Sequence, residues 1–383
     1  MSATQTLPPL PRLDAITGLR WWAAFAVFFF HVRNLIPLPG PLAALALFGN
    51  YGVTFFFVLS GFVLTWSWRA QIDKPTFYWR RFARIYPLHI VTLVLAVPVF
   101  YSFSADPQPA WVKPLNWGAL LLCVFLLQGW FRDPAILFAG NPASWTLTVE
   151  AFFYSLHPFV IAVLRRLTRT GAIIAAVGVV VFAFAVKIAL VADPSGWVSF
   201  VPMPVMRLNE FVLGMCLAWA VREGWRPRIP LLVPVGLLVG WFGFLVATGH
   251  YRDFRSAYTF VAPYASEVAT ALLALLIVSV ATLEMRGRVR WMRVRPMVAL
   301  GEWSYAFYLI HSTIIYLVLR LIDPVQGGWT SVAWFVGTLA VAIVAAWALH
   351  VGVERPMEKR LRAWQSQRHA ARLQARMQPD GAR

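Results

Sequence analysis

Apolar residues in this chain do not alternate or recur in short amphipathic stripes; they come in long blocks divided by short polar, arginine-rich segments. A bilayer-spanning helix needs about 20 mostly apolar residues. Windows of that size fall at 17–36, 45–67, 86–104, 145–164, 171–191, 204–221, 230–248, 260–283, 299–320 and 330–351. An eleventh stretch, 118–131, is apolar but short, which fits a re-entrant or interfacial segment better than a span. The pattern predicts an all-α polytopic membrane bundle of about ten transmembrane helices. No fixed-period repeat or low-complexity tract interrupts it.

Charge placement tests the count. With the N-terminus in the cytoplasm and ten alternating helices, Arg33, Lys113, Arg132, Arg252 and Arg255 fall outside, and Arg20, Lys187, Arg207 and Arg320 within spans. The other 25 of 34 basic residues then face inward, as the positive-inside rule requires. Making 118–131 a span would put every later basic loop outside. Both termini are therefore expected in the cytoplasm. The net charge of +18 reads as a topology signal and an attraction to anionic lipid, not as a nucleic-acid footprint. Only 13% of residues are charged and the mean hydropathy is +0.65, which excludes a soluble domain. A signal-peptide reading of 12–46 fails because its apolar run carries Arg20 and His31 and nine more windows follow. The two cysteines, Cys123 and Cys216, form no C-x-x-C pair.

Ionisable groups inside a membrane are costly and mark function by default. Arg20 and His31, eleven residues apart on the first helix, lie on one face about 16 Å apart, with His31 expected near the bilayer centre. In FYWRRFARIYP (77–87), Arg80, Arg81 and Arg84 crowd one helical turn and suit phosphate through forked hydrogen bonds. Pro87 is expected to break the helix there, leaving a short interfacial helix. Thr146, Glu150 and Tyr154 are spaced by four. Ser304, Tyr308 and His311 share another face, with His311 ranked below His31. Arg207 and Glu210 read as an intrahelical ion pair without chemistry. The simpler readings are lipid anchoring for the arginines and packing hydrogen bonds for the rest. The spacing offers no H-x-x-x-H or D-x-D metal site, no P-loop and no G-x-S-x-G elbow, so no metal is expected.

Together these segments resemble acyltransferase family 3, polytopic membrane acyltransferases of bacterial glycans and secondary metabolites. The likeness runs from Leu13 to about Pro356. It rests on the Arg20–His31 spacing, GVTFFFVLSGF (52–62), RRFARIYP (80–87), WTLTVEAFFY (145–154), GEWSYAFYLIH (301–311) and Glu354-Arg355-Pro356. Where such proteins commonly read W-S-x-S-x-E-E, this chain has threonines and a single acid, so only Glu150 inherits that role. The Thr17-to-Trp21 opening looks like the branch with antibiotic-tailoring acylases.

The resemblance implies a cytoplasmic tail at 1–12, a membrane acyltransferase domain at 13–356 and a basic cytoplasmic tail at 357–383, all in the bacterial cytoplasmic membrane. It implies O-acyl transfer, acetyl above all, from acyl-CoA as co-substrate to a hydroxyl of a glycan, glycolipid or glycosylated metabolite, with no tightly bound cofactor and no nucleic-acid partner. His31 would be the general base, Arg20 would hold the thioester oxyanion or the donor, and Glu150 would orient His31 or the acceptor. Arg80, Arg81 and Arg84 would bind acyl-CoA; Thr146, Tyr154, Ser304, Tyr308 and His311 would line an acceptor or polar pathway. Two alternatives stay open on residues alone: a proton-coupled transporter, which would show inverted repeats and paired broken helices, and a scaffolding membrane protein.

Overall fold

A computed structural model describes residues 10–104, 109, 111–248, 262–322 and 327–377, with side chains as far as 368. The expectations for Arg252 and Arg255, for the first residues of the 260–283 window, and for most of 1–12 and the end of 357–383 lie outside the described residues.

The expected apolar blocks form helices. In chain order they are α1 (Asp14–Val32), α2 (Gly40–Leu47), α3 (Tyr51–Trp66), α4 (Lys74–Phe100), α5 (Trp117–Val124), α6 (Pro134–Leu137), α7 (Trp145–Leu164) and α8 (Arg169–Ala192). Then follow α9 (Met203–Met206), α10 (Leu208–Arg222), α11 (Leu232–Ala247), α12 (Ala265–Met285), α13 (Arg295–Leu321), α14 (Trp329–Leu349) and α15 (Arg355–Met377). Among the described residues, nine helical stretches are long and apolar enough to cross a membrane. The tenth expected span, α11, is apolar but has only 16 residues. At 1.5 Å per residue it covers about 24 Å, short of the roughly 30 Å hydrocarbon core. The 118–131 segment does not span: α5 has eight residues, and the chain turns back through a single 3-10 turn at Gln128–Trp130.

Local chemistry sets the ends. The Asp73 side chain accepts from the Thr76 amide at 3.2 Å and starts α4; Thr168 caps α8 on Gly171 at 3.2 Å. Two sequence expectations need correction. Pro87 does not break α4, which runs through both Pro87 and Pro98. Proline at 87 removes the donor that the Ala83 carbonyl would otherwise use, a loss that a packed membrane helix tolerates; Tyr305 Oη donates to the nearby Ile85 carbonyl at 2.9 Å and ties α13 to this turn. The arginine cluster therefore belongs to the spanning helix itself. α1 ends at Val32, ahead of Pro37 and Pro39, so His31 sits in its last turn rather than at the helix midpoint.

Two buried clusters form the interior. One joins α3, α7, α10 and α12 around Phe57, Phe62, Phe153 and Phe211; the other joins α1, α13 and α14 around Phe28 and Phe307. The outer helices face lipid: on α8 only Ala172 and Ala176 are buried, while Ile174, Val177, Val181 and Phe182 are exposed. A water-soluble monomer does not display such a continuous apolar belt. This is a multi-pass membrane bundle.

The tightest seam joins α3 and α10. A Cβ on Gly61 would stand 2.0 Å from the Phe211 carbonyl oxygen, and one on Gly214 would stand 1.9 Å from that of Val58. Small residues let membrane helices approach backbone to backbone. Gly61→Ala is expected to cost about 1–3 kcal/mol through overpacking. The check is the thermal midpoint in detergent; an unchanged midpoint would show that the seam is looser than described.

Candidate active site

A cavity of about 1600 Å³ opens between α1, α3, α4, α7 and α13. Its mouth carries Arg12, Arg69, Lys74, Arg80, Arg222 and Arg362. Its inner part is lined by Arg20, Arg81, Arg84, Thr146, Glu150, Tyr154, Ser304 and Tyr308. Nine of the eleven residues singled out from the sequence thus meet in one place: Arg20, Arg80, Arg81, Arg84, Thr146, Glu150, Tyr154, Ser304 and Tyr308. His31 and His311 do not line it.

The cations differ sharply in how they are compensated. Arg84 makes a very short ion pair with Glu354, which is fully buried, and a second with Glu358 at 3.1 Å. His350 joins the same network, its Nδ1 bonded to Glu354 Oε2 at 2.9 Å. Arg222 donates to the carbonyls of Thr65, Trp66 and Trp68 at 2.8–3.0 Å, closing the C-terminal end of α3. Arg12 pairs with Asp14 at 2.8 Å and Glu302 at 2.6 Å; the bond to Glu302 raises its guanidinium above the usual value. Arg207 and Glu210 form the expected intrahelical pair at 3.2 Å.

Arg20, Arg80 and Arg81, by contrast, have neither a carboxylate within ion-pair distance nor a hydrogen-bond acceptor among the described residues. Arg81 lies between the rings of Phe77 and Tyr154, 5.9 and 6.0 Å from their centroids. Cations left open in a low-dielectric cavity are strong anion sites. The expected arginine trio therefore divides: Arg80 and Arg81 are free to take an anion, and Arg84 is already held.

What holds Arg84 could not be seen in local spacing. α14 passes through a single π turn at His350–Glu354 straight into α15, so the expected boundary at 356/357 falls inside one continuous helical stretch. Such turns are uncommon and cluster at functional sites; this one aims Glu354 inward. α15 then packs along α4: Trp79 stacks on Trp364 at 4.9 Å and donates to the Leu361 carbonyl at 2.8 Å, and Gln365 donates to Thr76 at 3.2 Å. Through Arg362 the tail reaches the cavity lining. Glu354 was legible only as part of a motif, and Glu358 and Arg362 carried no signal.

Glu150 accepts from Tyr154 at 2.9 Å inside the cavity. No hydrogen bond or ion pair joins it to His31 among the described residues; Glu150 lines the cavity alongside Arg20, Arg81 and Arg84. Thr146 and Tyr308 both donate to the Ala143 carbonyl, at 3.0 and 3.3 Å, and Ser304 to Gly301 at 2.7 Å. His31 instead lies against His311, ring centroids 5.2 Å apart, one helical turn beyond Tyr308. The two histidines expected to rank differently form a pair. His157, a residue without a sequence signal, is buried at the cavity wall, stacked on Phe77 at 5.0 Å.

The described residues thus form an apolar multi-pass bundle with a large, arginine-lined cavity. The chain belongs to the acyltransferase domain family numbered 3, whose model matches residues 13–351, and it is an enzyme of that class. It is 33% identical over 372 residues to "Acyltransferase MdmB" of Streptomyces mycarofaciens, covering 91% of this chain and 92% of that protein. It is 26% identical to "Nodulation protein 10" of Rhizobium leguminosarum bv. viciae, over 89% and 92% of the two chains. It is 25% identical to "O-acetyltransferase OatA" of Staphylococcus aureus, over 92% of this chain but 57% of the relative. No solved structure matches.

Removing Arg84 while leaving Glu354 in place strands a buried carboxylate. Arg84→Ala is expected to cost about 3 kcal/mol and to loosen α15 from α4, read as faster amide exchange over 358–364. Arg84→Met combined with Glu354→Gln should recover most of that loss. Equal exchange in all three proteins would contradict the clasp.

Proposed function

We propose that the protein is an integral-membrane O-acyltransferase carrying an acyl group, acetyl first of all, from acyl-CoA to a hydroxyl of a carbohydrate-containing acceptor. Its setting is the bacterial cytoplasmic membrane, which the nine long helices and the shorter α11 all cross, so that both termini and the cavity mouth lie on the cytoplasmic side. The cavity carries the reading: its mouth is cationic, and Arg80 and Arg81 have no anionic partner of their own. A polyanionic, cytosolic acyl carrier has the charge and the location that such a site requires. The family membership favours transfer chemistry over the transporter alternative.

In this mechanism Arg80 and Arg81 hold the phosphates, and the thioester arm runs inward past Arg20. Arg20 steadies the negative charge that grows on the thioester oxygen. His31 takes the proton of the acceptor hydroxyl as that oxygen attacks the thioester carbon. The C–S bond then breaks, and the proton passes to the departing thiolate to give free CoA and an O-acyl ester. Tyr308 lines the cavity, donates to the Ala143 carbonyl at 3.3 Å and lies against His311 with ring centroids 5.7 Å apart, so it joins the cavity end to the histidines.

A ligand that binds the folded protein raises its thermal midpoint. Acetyl-CoA is expected to raise that of the detergent-solubilised protein while ATP, as a polyanion control, does not. Arg81→Ala should lose most of the shift. Equal shifts with ATP, or none with acetyl-CoA, would leave the arginines as a membrane anchor. His31→Ala is expected to abolish ester formation with the acetyl-CoA shift retained; ester formed at the normal rate would remove His31 from the base role.

A further inference from the structure

His311 is fully buried on α13 and holds one hydrogen bond of fixed direction. Its Nδ1 lies 2.6 Å from the backbone carbonyl oxygen of Tyr308. A carbonyl oxygen only accepts, so Nδ1 carries the ring proton. The other nitrogen, Nε2, is buried and has no hydrogen-bond partner. A proton there as well would bury a charge and an unsatisfied donor together. The ring is therefore neutral, with a lone pair on Nε2 looking for a donor.

The nearest ring that can supply one is His31, in the last turn of α1, with its centroid 5.2 Å away and the two planes 50° apart. No hydrogen bond to the His31 ring exists among the described residues, so nothing else sets its tautomer. Phe30 stands edge-on to the half-buried His31 at 4.9 Å, and Phe307 and Tyr308 flank His311 at 6.1 and 5.7 Å. At that separation a turn of the His31 ring brings facing nitrogens within hydrogen-bond reach.

We propose that His311 is a positioning residue: its free Nε2 accepts the ring N–H of His31 and thereby presents the other His31 nitrogen, unprotonated, to the acceptor hydroxyl. The order is Tyr308 carbonyl, His311 Nδ1–H, His311 Nε2, His31 N–H, His31 free nitrogen. A second imidazole does here what a carboxylate does for a histidine base elsewhere, fixing tautomer and direction. No proton leaves His311 during transfer; the hydroxyl proton goes to His31 and on to the thiolate. The inference rests on His31 being the base.

The test needs no acceptor. The full chain has seven histidines, few enough for nitrogen-resolved NMR of ¹⁵N-histidine-labelled protein in detergent at neutral pH, assigned by single replacement. The expected spectrum has His311 as the Nδ1–H tautomer and His31 as one tautomer. In His311→Phe, which suits the aromatic surroundings, His31 should become a mixture of both tautomers while the other five signals stay in place. In His311→Gln, whose amide oxygen can still accept, His31 should keep a single tautomer. A wild-type His311 protonated on Nε2, or a His31 ring already mixed in the wild type, overturns the proposal without any variant. So does a His31 ring unchanged by His311→Phe. Failure of the base reading itself is seen separately, as ester formation that survives His31→Ala.

Discussion

Water is missing from the hydrocarbon core, so every charge carried into it must find a partner or be left open for one. The positive charges of this bundle sort themselves by that constraint. Arg207 has Glu210 and Lys187 has Glu267, at 3.2 and 3.6 Å. Arg222 has three backbone carbonyls, and Arg84 has two glutamates from the far end of the chain. Arg20, Arg80 and Arg81 have none of these among the described residues, and all three line the same cavity. The distinction between occupied and open cations is what turns an arginine-rich membrane protein into a protein with a recognisable site.

The clasp on Arg84 links that site to the last helix. A single π turn at 350–354 swings Glu354 inward, and α15 then lies along α4 with Trp364 stacked on Trp79. Arg84 shapes the cavity through its partners while its neighbours Arg80 and Arg81 stay open. The first turns of the basic tail accordingly pack on α4 and bring Arg362 to the cavity lining.

Much of this was legible in the residues because desolvation is a local property. Hydropathy windows located the nine stretches long enough to span among the described residues and the shorter α11, and the brevity of 118–131 argued against a span there. Helical spacing placed Glu150 with Tyr154 and Arg207 with Glu210, since i,i+3 and i,i+4 neighbours meet on any helix. What spacing does not encode is which helices touch. His31 and His311 are 280 residues apart and meet only because α1 packs on α13. Arg84 and Glu354 meet only because α15 folds back along α4. Pro87 misled for a related reason: its helix-breaking tendency is judged against water, whereas a packed bundle tolerates one lost backbone bond, and here Tyr305 from another helix is tied to the same turn.

The central claim is that the cavity mouth faces the cytosol and receives the anionic donor there. Both natural cysteines are buried, with Cys123 and Cys216 no more than 1% exposed, so an added cysteine at the exposed mouth residue Gln71 is a clean probe. The account predicts that Gln71→Cys reacts with a membrane-impermeant maleimide in inside-out vesicles, that acetyl-CoA slows the reaction, and that right-side-out vesicles stay unlabelled. Labelling from the outer face, or labelling from the inner face at a rate indifferent to acetyl-CoA, would contradict it.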